Sequence, residues 1–194
     1  MNISRLLSVA PMMERTDRHC RYFFRLLSQQ TLLYTEMINA NAISKGNRTR
    51  LLDFSEIEHP LALQIGGSDP KLLAEATKIG VDWGYDEINL NVGCPSSRVS
   101  SGDFGAVLMK RKDHVAKCVD AMAQFSSNVP VSVKCRIAVD DQDPEKILPS
   151  FIKTVSNSGV SIFIIHARKA ILSGLSPKDN RKIPPIDYNL VKKI

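Results

Sequence analysis

Six short apolar runs recur along this chain, at residues 6–12, 31–38, 61–65, 87–92, 129–135 and 160–166. Each is rich in Val, Ile or Leu and too short for a buried helix, as strands buried on both faces are. Amphipathic segments lie between them. One, 17–29, follows Thr16 as N-cap. Another, 70–79, follows Asp69, opens on Pro70 and has Gly80 as its stop. Two more cover 106–125 and, after an acidic loop at 140–143, 144–156. A loop over 169–186 then leads into the start of a helix at 187–194. Strands and helices that alternate in one direction require crossovers, and so a parallel sheet, open or closed into a barrel. No Gly-x-Gly-x-x-Gly fingerprint is present, which argues against a dinucleotide-binding open sheet.

Polar and reactive residues cluster where these runs end. Pro11-Met12-Met13 follow the first run; Glu36 and Asn39 close the second, and Gln64 the third. Asn91 and Cys94 close the fourth, Lys134 and Arg136 the fifth, His166 and Arg168 the sixth. In a TIM barrel the functional groups sit at the C-terminal ends of the strands. The expected fold is therefore α/β, a TIM (β/α)8-type barrel. A complete barrel needs eight strands and typically ~250 residues. Residues 1–194 are expected to form an incomplete barrel domain of about six βα units, without strands seven and eight.

Other classes are disfavoured. No apolar run approaches the ~20 residues of a membrane helix, and the N-terminus does not resemble a signal peptide, so the chain reads as cytoplasmic. Cys20, Cys94, Cys118 and Cys135 form no C-x-x-C pair and share no zinc-like spacing with His, which points to reduced thiols and no metal. The net charge is +6, and seven basic against two acidic residues between Arg168 and Ile194 supply most of it. Such a basic segment suits a polyanion, or is a solvated loop with no partner.

One cysteine stands out. Cys94 lies between Gly93 and Pro95 at the end of a strand-like run, with Gly102 and Gly105 close behind. That placement carries a thiol to the mouth of a barrel, although a buried structural Cys in a tight turn is the plain alternative.

Several blocks together resemble the tRNA-dihydrouridine synthases. They are Ala10-Pro-Met-Met13 with Thr16-Asp-Arg-His-Cys-Arg-Tyr-Phe23, Gly93-Cys-Pro95, Val133-Lys-Cys-Arg-Ile137, and His166-Ala-Arg-Lys-Ala170 with Gly174-Leu-Ser-Pro-Lys178. The last block is most similar to the DusA subgroup. The resemblance implies an FMN-binding TIM barrel followed by a helical tRNA-binding domain that this chain lacks. It implies NADPH-linked reduction of uridine to 5,6-dihydrouridine in the tRNA D-loop. Carried over residue by residue, Cys94 is the proton donor, since a free thiol is protonated near neutral pH. Pro11, Met12, Met13, Gln64, Lys134 and His166 contact FMN, with Lys134 placed where the reduced flavin gathers negative charge. Asn91, Lys178 and Arg181 bind tRNA. Arg15, Ala138 and Ile171 depart from the usual pattern. Two alternatives stay open: a flavin barrel acting on a small pyrimidine such as dihydroorotate, and a non-catalytic degenerate fragment.

Overall fold

Each apolar run becomes a strand in the computed structural model, which describes residues 3–194. The strands are β1 (Ser8–Val9), β2 (Leu32–Asn39), β3 (Leu61–Gly66), β4 (Glu87–Val92), β5 (Val131–Arg136) and β6 (Ile162–His166). The helices are α1 (Arg18–Leu27), α2 (Ala40–Lys45), α3 (Arg48–Leu52), α4 (Pro70–Trp83), α5 (Ser97–Ser101), α6 (Lys112–Ala123), α7 (Pro144–Ser156) and α8 (Tyr188–Lys192). All strands run parallel, in the spatial order β1-β2-β3-β4-β5-β6. A strictly sequential order with right-handed crossovers puts every long helix on one face, and the sheet curls into a half-barrel around the other.

Strand alternation divides the two faces. Leu63 and Ile65 of β3, Ile88 and Leu90 of β4 and Val133 and Cys135 of β5 join the main core under the helices. Their neighbours Gln64, Asn89, Asn91, Ser132 and Lys134 turn the opposite way, into the barrel. A small apolar floor of Leu32, Tyr34 and Ala62 closes the N-terminal end of that interior.

Several details differ from the sequence reading. The first run pairs over two residues only, and Leu6 is 98% exposed, because this edge strand has a single neighbour to pair with. Asp17, not Thr16, caps α1: its carboxylate accepts the Cys20 amide at 2.9 Å, while Thr16 Oγ1 accepts from Met12 N. The expected helix 106–125 is a 3-10 turn, Gly105–Lys110, followed by α6. Gly80 lies inside α4, which ends at Gly84 in the left-handed conformation (φ +100°). A Cβ on Gly80 would stand 2.7 Å from Leu63 Cδ2 and 2.8 Å from Ile88 Cδ1, so the missing side chain lets the helix approach the sheet.

α1 is inverted. Its Arg21 and Arg25 point inward, where Arg21 Nε meets Glu58 Oε2 at 2.6 Å and Arg25 Nη2 donates to the carbonyls of Thr31 and Glu58, both at 2.8 Å. Phe23, Leu26 and Leu27 face outward and are exposed. Among the described residues, no helix is long and apolar enough to cross a membrane.

Candidate active site

The chain leaves β4 at Val92 and turns through Gly93-Cys94-Pro95 into α5. An Asx turn shapes this bend: Asn91 Oδ1 accepts both the Gly93 amide (3.0 Å) and the Cys94 amide (2.9 Å). On the far side Ala106 N donates to the Cys94 carbonyl at 2.9 Å. Gly105 permits that approach. Its φ is +76°, and a Cβ there would fall 2.6 Å from the Cys94 carbonyl oxygen and 2.4 Å from Val99 Cγ1. From β5, Arg136 Nε donates to the Gly93 carbonyl at 3.2 Å. The turn is thus held from three directions. It leaves the Cys94 thiol half-buried at the C-terminal mouth of the half-barrel, where Sγ lies 3.6 Å from Ser96 Oγ.

The other thiols sit differently. Burial pushes Cys118 and Cys135 up to about 12, and both belong to the core. Cys20 is raised by burial and by Asp17.

Below the Cys94 turn a polar chain runs down the barrel interior. Asn91 Nδ2 donates to Gln64 Oε1 (2.8 Å), Gln64 Nε2 to Asn89 Oδ1 (2.7 Å), and Asn89 Nδ2 to Ser132 Oγ (2.7 Å). Ser132 donates in turn to Glu87 Oε1, which also accepts Tyr34 Oη at 3.0 Å. Arg5 Nη2 lies 2.6 Å from Glu87 Oε2 at the floor.

Positive charge gathers at the mouth. Lys134 is the register partner of Asn91, and His166 that of Arg136. Among the described residues the Lys134 ammonium and the His166 ring form no hydrogen bond or ion pair. Burial, then Arg136, lowers the proton affinity of Lys134. Burial pushes His166 down to about 4, with Arg136, Lys134, Arg168 and Arg181 adding to the effect, so the imidazole is neutral at pH 7. Arg136 itself is lowered to about 10, chiefly by burial. Cations crowded together without a carboxylate among them form a site for an anion.

The structure brings Cys94, Asn91, Gln64, Lys134 and His166 together along the inner face and upper rim of β3 to β6. Pro11, Met12 and Met13 stand apart at the end of β1, in a turn closed by Thr16 N to the Met12 carbonyl at 3.0 Å, and Met13 is exposed. Lys178 and Arg181 are exposed on the loop after β6. Between them Asn180 is fully buried and anchors that loop: Nδ2 donates to the Ile171 carbonyl at 2.9 Å and Oδ1 accepts from Ile171 N at 2.8 Å. The Asn180 carbonyl accepts Arg136 Nη1 at 3.0 Å. One guanidinium therefore ties the basic loop to the Cys94 turn. Glu87, Asn89 and Ser132 were not singled out by sequence. The period-2 pattern Glu87-x-Asn89-x-Asn91 within an apolar run is the signal that marks the first two.

The profile of the family described as Dihydrouridine synthase (Dus) matches residues 8–194. A protein of Synechocystis sp. named tRNA-dihydrouridine(20/20a) synthase is 60% identical over 188 residues, which are 97% of this chain and 56% of the relative. The protein of that name from Escherichia coli K12 is 60% identical over 188 residues, 96% of this chain and 54% of its own length. The one from Xanthomonas campestris pv. campestris is 56% identical over 183 residues, 94% and 54% of the respective chains. The chain spans about half the length of these curated relatives.

Proposed function

This chain belongs to the dihydrouridine synthase family, and on that premise we propose that it carries the catalytic cysteine and most of the cofactor contacts of an enzyme reducing uridine to 5,6-dihydrouridine in tRNA, of the 20/20a type. The observation that carries this reading is the pairing of a half-buried strand-end thiol, Cys94, with an uncompensated cluster of cations at the same barrel mouth. Reduction of the uracil double bond requires a hydride on one carbon and a proton on its neighbour. FMN supplies the hydride when bound and is recharged by NADPH.

The residues present fit such a group. Lys134 offers an ammonium that no carboxylate of the described residues has claimed, suited to an electron-rich ring edge. His166 is neutral and can donate or accept. Gln64 retains one amide N–H beyond its bond to Asn89. Pro11, Met12 and Met13 supply apolar contact from β1. Cys94 Sγ is placed to give a proton to the substrate base, and Asn91, which shapes its turn, stands beside the same pocket mouth. Lys178 and Arg181 lie outside it, on the exposed loop where an RNA backbone would pass. In the whole protein, further strands would bridge the β6 and β1 edges and a helical domain would help grip the tRNA.

The test is dihydrouridine formation on tRNA prepared without the modification. The purified protein with FMN and NADPH forms dihydrouridine, and Cys94→Ala lowers the rate by roughly 10²–10⁴-fold, the usual worth of a positioned proton donor. A Cys94→Ala variant as fast as the parent would sink the assignment.

A further inference from the structure

We propose that Glu87 is a positioning residue: through Ser132, Asn89 and Gln64 it sets which way the Asn91 amide faces, and so fixes the turn that holds Cys94. The catalytic consequence rests on the function proposed above; the geometry does not. Two backbone amides converge on one end of the Asn91 side chain, and only an oxygen can accept both. The nitrogen end must then face Gln64, which has to present its oxygen. Gln64 in turn offers its nitrogen to the Asn89 oxygen, and Asn89 offers its nitrogen to Ser132. The hydroxyl proton of Ser132 is left with one destination, the Glu87 carboxylate, which as ion-pair partner of Arg5 only accepts. Every bond therefore points the same way, from the backbone of the turn down to Glu87. Glu87, Asn89 and Ser132 are fully buried and Gln64 is 1% exposed, so solvent cannot stand in for a lost partner.

This directionality makes a prediction that a merely structural role does not. Asn91→Asp still accepts the two turn amides but can no longer donate to Gln64. Gln64 and Asn89 must flip, the Ser132 proton turns toward Asn89, and the oxygen lone pairs of Ser132 face the Glu87 carboxylate. Glu87→Gln resolves that conflict. Its amide nitrogen has two protons, one for Ser132 and one for Tyr34, and its oxygen accepts from Arg5. The two substitutions together invert the chain from Asn91 to Ser132, and the one group whose partner changes beyond it is the Tyr34 hydroxyl, which loses Glu87 as acceptor in either Glu87 variant and so cancels from the cycle.

The experiment is a double-mutant cycle on the purified protein, read by the rate at which iodoacetamide alkylates Cys94, resolved by peptide mass, and by dihydrouridine formation. Asn91→Asp alone is expected to change the alkylation rate at least about fivefold, and the double variant to return within about threefold of the parent, a coupling of the size seen in connected networks. Effects that simply multiply would overturn the proposal. If Asn91→Asp does not fold, recovery of soluble protein in the double variant counts as rescue. Glu87→Gln with Asn89→Asp runs the same logic while leaving Gln64 and Asn91 untouched, and failure of both double variants to rescue overturns the proposal. Coupling in the alkylation rates, with no dihydrouridine formed even by the parent, would uphold the relay and sink only the function.

Discussion

His166 illustrates how far a single side chain can be moved by its surroundings. Burial and the nearby cations Arg136, Lys134, Arg168 and Arg181 hold its folded-state pKa at about 4, against 6.5 for a free imidazole. Its folded value is depressed, so the folded protein binds fewer protons than the unfolded chain between these two limits. The contribution to stability is complete above pH 6.5 and is lost as the pH falls toward 4. The loss is on the order of 3 kcal/mol. Urea midpoints measured from pH 7 down to pH 4 should fall for the parent, and His166→Gln should flatten that fall. An identical slope in both would mean that the imidazole titrates freely. Lys134 answers to the same forces: burial, then Arg136, lowers its proton affinity.

Among the elements, α4 shows where backbone packing decides. Gly80 inside it faces Leu63 and Ile88, both fully buried. Gly80→Ala gains about 1 kcal/mol of helix propensity. The overlap with two packed side chains costs about 1–3 kcal/mol. The net expectation is a lower thermal midpoint, by about 2–4 °C per kcal/mol lost; a rise would show that the core has room. The sequence misplaces this glycine as a helix stop because nothing local distinguishes a terminator from a contact point. The six strands were legible because a run of Val, Ile and Leu bounded by turn residues has few other uses. Cys94, Gln64, Asn91, Lys134 and His166 were legible because a parallel βα unit fixes which end of each strand faces the site. The helices α2 and α3 were not: each is six residues or fewer, too short to show a period. Glu87 and Asn89 were hidden for a different reason. They occupy the inner positions of a strand whose outer positions, Ile88 and Leu90, give the run its apolar character, and only the pairing register, which sets Asn89 between Gln64 and Ser132, shows what they meet.

At the scale of the molecule, apolar and charged surfaces are segregated. The inward arginines of α1 leave Phe23, Leu26 and Leu27 exposed on one flank, while the loop after β6 concentrates basic side chains at the barrel mouth. On the function proposed above, that division predicts how the protein meets RNA. Lys178→Ala and Arg181→Ala should each weaken tRNA binding across sequences, and each should reduce the slope of log affinity against log salt by about 1 if the side chain neutralises one phosphate. Titrations at several salt concentrations check this, and an unchanged slope would place the residue off the RNA path. The strand order has its own consequence for how such a protein is made. Among the described residues, each strand hydrogen-bonds only to the strands just before and after it in the sequence. A chain leaving the ribosome at about 5–20 residues per second can therefore lay each new βα unit against a ladder already built. Apart from the outer side of β1, no early strand waits for a distant partner, and at any moment two edges, that of β1 and that of the newest strand, are open to a stranger.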